Sequence, residues 1–337
     1  MKMNYLNSRR AFIKKMTGGA ALSTIAFSSS LPGSLKSFTR TNDHKPSDQK
    51  PVRIGIIGGS VSAHTFDYGK LFNIDRKFPG VELLYAWADT EEFARAAMEK
   101  ARIPNIVKNP NEMLGKIDAL IINHRDGRYH LEPAIPFIKA KIPTFIDKPF
   151  CSRVSEGKEF LSLARLSGTP VSSWSTLAHS DKTADLKKQV EAIGQINNIV
   201  SFGPVDIESP WGGVFFYGVH SVDQLLYIFG DNVVKVRVSH QGRTATASLI
   251  FNNGMLATLV FLTQGSGRGM YAETKKGVID LKSEVQETDP PKCYVDMVEM
   301  FRTGKESRSH QRILFSVAVL EALEKSVKSD NWEQIIV

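Results

Sequence analysis

Val52-Arg53-Ile54-Gly55-Ile56-Ile57 is a short apolar run that stops at Gly58-Gly59-Ser60, and residues 64–78 behind it carry helical spacing. Residues 81–88 read as a second strand ending at Asp89, after which Thr90 is placed to cap a helix over 91–102. A third clear strand at 118–122, a helix over 129–140 and a strand at 144–146 complete the series. Apolar runs of this kind, alternating with helices, are strands buried on both faces. They predict an α/β fold built on a doubly wound parallel sheet, whose ligands lie at the carboxyl ends of the strands.

The pattern changes after Pro143-Thr144-Phe145-Ile146-Asp147-Lys148-Pro149-Phe150, where an apolar strand delivers two charged side chains to that ligand-facing edge. Residues 233–239, 244–251 and 255–263 are β-rich runs joined by short turns. One of these turns, Asn252-Asn253-Gly254, is a hairpin signal. Residues 268–274 and 278–282 are expected to continue the meander. The division predicted is a nucleotide-binding domain over 51–150 and a second α/β domain with a large, mostly antiparallel sheet over 151–337. The last helix, 307–326, is expected to pack back toward the first domain.

Composition separates the N-terminus from the rest. With 42% apolar and 23% charged residues the chain is a folded, globular type rather than a disordered one. Residues 1–35 differ: Asn7-Ser8-Arg9-Arg10-Ala11-Phe12-Ile13-Lys14-Lys15 precedes a run of small and weakly apolar residues, the form of a twin-arginine export signal. Without the five cations of this stretch the formal charge falls from +8 to +3, and no Lys/Arg cluster with aromatics remains to suggest nucleic acid. Residues 36–50 have the composition of a disordered tether. Cys151 and Cys293 are expected as buried thiols, and the histidines show no metal-ligand spacing.

The chemistry expected in the first half is dinucleotide binding. A glycine turn before a helix N-terminus offers unpaired N–H groups and a favourable dipole to a pyrophosphate. Taking Gly58 as the first fingerprint glycine puts Gly59 beside it, Ser60 at the second glycine position and Ala63 at the third. Asp89 then stands where a carboxylate accepts hydrogen bonds from an adenosine ribose and repels a 2′-phosphate, so NAD is favoured over NADP. The loop Asn123-His124-Arg125-Asp126-Gly127-Arg128 shares this edge. Trp174, Ser175 and His179, after a short strand at 170–173, are candidates for the same cleft.

In combination, the glycine turn, the acid after the second strand, Asp147-Lys148-Pro149, Trp211-Gly212-Gly213 and Gly218-Val219-His220-Ser221-Val222-Asp223 resemble the Gfo/Idh/MocA oxidoreductase family. The resemblance covers nearly all of the chain after the leader. It implies hydride transfer between NAD and a sugar or polyol, with Lys148 touching cofactor and substrate and His220 as general acid/base. Asn123 and Asp147 are expected on the cofactor side, and His124, Trp174 and Phe216 on the substrate side, with interdomain packing the alternative for Trp174; Asp223 is expected to support the helix or the histidine or to touch substrate. It also implies a homo-oligomer formed through the second sheet. Three departures stand out: Asp147 in place of Glu, Ser60 in place of Gly, and Phe216 where the family commonly has Asp one helical turn before the histidine. The expectation is an exported, periplasmic oxidoreductase that uses the twin-arginine machinery. The alternative is a catalytically reduced member that binds a carbohydrate or partner without turnover.

Overall fold

The computed structural model describes residues 50–58 and 63–337. The twin-arginine stretch, Gly59 and Ser60 lie outside the described residues. The first sheet is parallel, with strands β1 (Val52–Gly58), β2 (Val81–Ala88), β3 (Asn105–Ile106), β4 (Ala119–Ile122), β5 (Thr144–Ile146) and β6 (Val171–Ser172) in the order β3-β2-β1-β4-β5-β6. The order reverses beside β1, which opens a crevice at the carboxyl ends. Because β6 pairs with β5, the sheet runs past residue 150.

Four helices cross between these strands: α1 (Ala63–Gly69), α2 (Glu91–Ala101), α3 (Leu131–Lys139) and α4 (Val154–Ser167). Thr90 caps α2, its hydroxyl accepting the Phe93 N–H at 3.3 Å. The single helix expected over 64–78 is instead α1 followed by a π turn at Lys70–Ile74. Asn73 anchors that turn, donating to Leu83 O at 2.8 Å and Arg102 O at 2.9 Å while accepting the Leu83 N–H at 2.9 Å.

Burial on both faces accounts for the unbroken apolar runs. Ala119 and Ile121 of β4 face one core with Ile54, Ile56, Tyr68 and Phe72; Leu120 and Ile122 face the other with Ala134, Phe137 and Leu161. Each buried Ile or Leu contributes about 1.5–3 kcal/mol. The first of these cores also contains Cys293, Met297, Val298, Met300 and Phe301 of α7 (Lys292–Thr303), so a late segment returns to cover the first sheet. Both cysteines are buried, and burial pushes each thiol up to about 12.

The second sheet has seven strands, β7 (Asn198–Pro204), β8 (Val233–Gln241), β9 (Thr244–Phe251), β10 (Leu256–Leu262), β11 (Gly269–Thr274), β12 (Gly277–Asp280) and β13 (Glu333–Gln334), in the order β12-β11-β7-β10-β9-β8-β13. The meander expected through residue 282 is broken. β7 lies parallel to β10, and β11 pairs with β7 instead of β10. A strand from before the β-rich region therefore occupies the middle of the sheet, which periodicity within that region cannot reveal. α5 (Asp181–Ile193) leads into β7. α6 (Val214–Phe229) and α8 (His310–Ser329) belong to the core that includes the buried strand residues Val236, Val238, Ala247, Leu249 and Leu259. The alternate positions Val200, Phe202, Val260 and Leu262 are only half-buried.

Candidate active site

Parallel strands deliver their carboxyl ends to one edge, and the chemistry-bearing side chains collect there. β1 ends at Gly58, where an added Cβ would lie 2.5 Å from Oδ1 of Asn123 and 3.1 Å from Oγ1 of Thr65. Glycine leaves room for Asn123 to pass the strand end and donate to Thr65 of α1 at 2.9 Å. Asn123 is fully buried, and its N–H donates to Ile57 O at 2.9 Å. Ala63 opens α1.

Asp89 follows β2, with 42% of its side chain exposed, 3.9 Å from Nε2 of His124. An open carboxylate at this strand end fits a ribose diol, so Gly58, Asn123 and Asp89 together are compatible with a dinucleotide. The His124 ring sits among Trp87, Tyr129 and His130, and burial together with His130 pushes its imidazole down to about 4. The loop after β4 turns the His124 ring toward β2 and Asp89. His130 holds that loop, its two ring nitrogens each 2.7 Å from a carbonyl oxygen, those of Pro149 and His124.

β5 delivers Asp147 and Lys148. The Asp147 carboxylate pairs with His64 of α1 and accepts the Lys148 N–H at 2.8 Å. Burial works to raise the Asp147 carboxyl, but the charge of His64, its hydrogen bond and Lys148 outweigh burial and hold it well below the usual range. The same pair raises the His64 imidazole. Asp147 thus ties β5 to α1. Lys148 is half-buried, with Nζ 5.7 Å from the Phe216 ring centroid and 5.9 Å from that of Tyr217. Burial lowers its ammonium, opposed by Asp147.

Opposite stands α6, which starts after Gly212 and Gly213, both at positive φ. His220 is buried one turn beyond Phe216, its Nδ1 2.7 Å from the Ser175 hydroxyl. Ser175 is fixed in turn, its N–H donating to Asp223 at 2.9 Å, and Arg308 closes the network with bonds to Asp223 at 2.9 and 3.1 Å and to Ser173 O at 3.1 Å. Asp223 is a buried support for this network. Burial first, then Lys148 and Arg268, push the His220 imidazole well below its ordinary value, so it is neutral and can accept a proton.

Trp174 is 1% exposed, packed 4.8 Å from Phe145 and stacked 4.6 Å from His179, in the core that also holds Phe145 of β5. Phe216 does face the cleft, lying beneath Lys148 and 5.5 Å from the Arg125 guanidinium. The structure thus brings together Lys148, Phe216 and His220. His64 and Arg308 were not legible as the partners of Asp147 and Asp223 because they come from distant segments.

Residues 52–173 match the family model described as GFO_IDH_MocA, an oxidoreductase family with an NAD-binding Rossmann fold. The NAD expected from Asp89 agrees with that description. An uncharacterized oxidoreductase, YhhX, of Escherichia coli (strain K12) is 24% identical over 163 residues, spanning 43% of this chain and about half (47%) of that relative. Among solved structures, myo-inositol 2-dehydrogenase from Lactobacillus plantarum superposes with a TM-score of 0.72 at 19% identity, covering 85% of this chain and 100% of that one. Scyllo-inositol dehydrogenase from Lactobacillus casei, solved with NAD(H) and scyllo-inositol, gives 0.70 at 15% identity over 85% and 99%. At these identities the solved neighbours show the fold alone, and the family model speaks for residues 52–173.

Proposed function

We propose that the whole chain is a Gfo/Idh/MocA-type oxidoreductase that moves a hydride between NAD and a CH–OH group of a sugar or polyol, with Lys148 and His220 as the reacting pair. The observation that carries this is their convergence on one ring: the Lys148 ammonium lies 5.9 Å from Tyr217, and the His220 ring lies 5.6 Å from it on the adjoining turn. NAD, when bound, supplies the hydride acceptor. As the carbinol carbon gives up its C–H electron pair, neutral His220 takes the hydroxyl proton and Lys148 stabilises the oxygen that becomes the carbonyl. Ser175 holds the ring through both protonation states, since a hydroxyl donates to a bare nitrogen or accepts from its N–H.

Two further parts of the proposal concern the setting. Export by the twin-arginine route rests on Arg9-Arg10 and the small-residue run behind them. Association of copies through the second sheet rests on Val200, Phe202, Val260 and Leu262, apolar positions that alternate with the buried row. A second function is favoured by one observation, Phe216 filling the place of an acid: binding of a carbohydrate without turnover. Calorimetric titration with NAD separates the two. Binding, followed by loss of turnover in Lys148→Ala, supports the oxidoreductase; absence of NAD binding overturns it. Cell fractionation of an Arg9→Lys, Arg10→Lys double variant tests export, which predicts its retention in the cytoplasm.

A further inference from the structure

Resting on the oxidoreductase reading above, we propose that the substrate is an anionic sugar whose carboxylate or phosphate is held by the guanidinium of Arg268. Arg268, an exposed residue, stands just before β11, and its guanidinium reaches Gly203 on the helix-facing side of β7. There, a Cβ added to Gly203 would lie 2.9 Å from Nη1 of Arg268 and 2.7 Å from Oγ of Ser221. The guanidinium thus occupies the space that any other residue at 203 would fill, and it does so beside α6, at the residue following His220.

Among the described residues, Arg268 has no ion-pair or hydrogen-bond partner, and the Lys148 ammonium meets only aromatic faces. The acids that could balance them are committed elsewhere. Asp147 pairs with His64, and Asp223 pairs with Arg308. The position where an acid would face the cleft is Phe216. Lys148 and Arg268 both push the His220 imidazole down, and Asp147, already paired with His64, is the carboxylate that opposes them. A neutral polyol leaves that charge uncompensated; an oxyanion on the substrate supplies the missing partner, and a planar guanidinium matches a carboxylate or phosphate in a bidentate bond.

Room for such a ligand adjoins the arginine. Arg268 lines a cavity of about 660 Å³ with Thr183, Gln224, Met270 and Tyr271; Gln224 stands one turn after His220 on α6, and neither His220 nor Lys148 is on its wall. That volume lies within the range of small-molecule sites, roughly 300–1,000 Å³. Acids on its wall are partly committed: Asp280 pairs with Lys282 at 2.6 Å, Glu287 accepts the Asp181 N–H at 2.9 Å, and Glu284 is exposed.

The test is calorimetry on the full chain, with and without NAD, using glucose, glucuronate and glucose phosphate and the same triplet built on galactose. One charged member should bind about tenfold or more tighter than its neutral parent. Whether it is the uronate or the phosphate identifies the source of the anion. In Arg268→Gln the ratio should fall toward one, and in Arg268→Lys it should partly return. A neutral hexose bound as tightly as its charged partners, an anion preference that survives Arg268→Gln, or no binding in either triplet overturns the proposal. Nicotinamide absorbance is followed in parallel. Anion binding with no reduction of NAD by any sugar defeats the oxidoreductase reading while the anion site stands, and reduction by neutral sugars alone does the reverse.

Discussion

The hydroxyl of Ser175 lies 2.7 Å from Nδ1 of His220, and neither residue is accessible enough for water to take the other's place. Removing the hydroxyl in Ser175→Ala leaves a buried ring nitrogen without a partner, a cost of about 1–3 kcal/mol. The ring is then free to turn, so kcat should fall about tenfold or more while the KM for NAD stays near that of the parent. Steady-state kinetics read this split. A KM change with kcat preserved would place Ser175 outside the reaction.

His220 also makes the pH profile informative. Burial, Lys148 and Arg268 all lower the imidazole, so the neutral base persists through neutral pH. Oxidation measured as kcat/KM should therefore rise at acid pH, complete its rise below about 6.5, the ordinary histidine value, and stay flat above it. Arg268→Gln removes one positive charge and lets the pKa rise, which should move the acid limb toward higher pH. A limb that stays in place would show that the guanidinium does not act on His220.

The His64–Asp147 pair ties α1 to β5, and its contribution to stability has two edges. Asp147 is depressed, so its share is present above the unfolded carboxyl value, about 3.9, and lost as pH falls through the lower folded value. His64 is raised, so its share is present below the unfolded value, about 6.5, and lost as pH rises through the higher folded one. Asp147→Asn should cost about 1.5–3 kcal/mol between those edges and less well above them. Urea denaturation near pH 5.5 and again at alkaline pH, set by those reference values, checks it.

Asp223 and Arg308 form a buried ion pair with neither partner replaceable by water. Asp223→Leu alone strands a buried guanidinium and should cost about 3–5 kcal/mol. Arg308→Met added to it should recover much of that loss, because the stranded charge is gone. Denaturation midpoints of the two single variants and the double variant supply the cycle.

Much of this architecture is written locally. The apolar runs of β1, β2, β4 and β5, the Thr90 cap and the Asn252-Asn253-Gly254 turn can each be read from neighbouring residues, and they lead to the parallel sheet and to the edge carrying Lys148. The central place of β7 in the second sheet could not be read this way, since pairing between distant strands leaves no mark on either one's period. The site divides similarly. Lys148, Phe216 and His220 come together, but Asp147 and Asp223 pair with cations far along the chain. A carboxylate in a motif looks the same in sequence whether it faces a ligand or a buried cation.

The return of α7 to the first sheet bears on how the chain is made. Met297, Met300 and Phe301 belong to the same core as Ile54 and Ile56, so on the ribosome that core stays open until synthesis has passed residue 301. A fragment ending at residue 173 would carry every strand of the nucleotide-binding sheet and still show water the apolar surface that α7 covers. The nucleotide-binding half is therefore completed only near the end of translation.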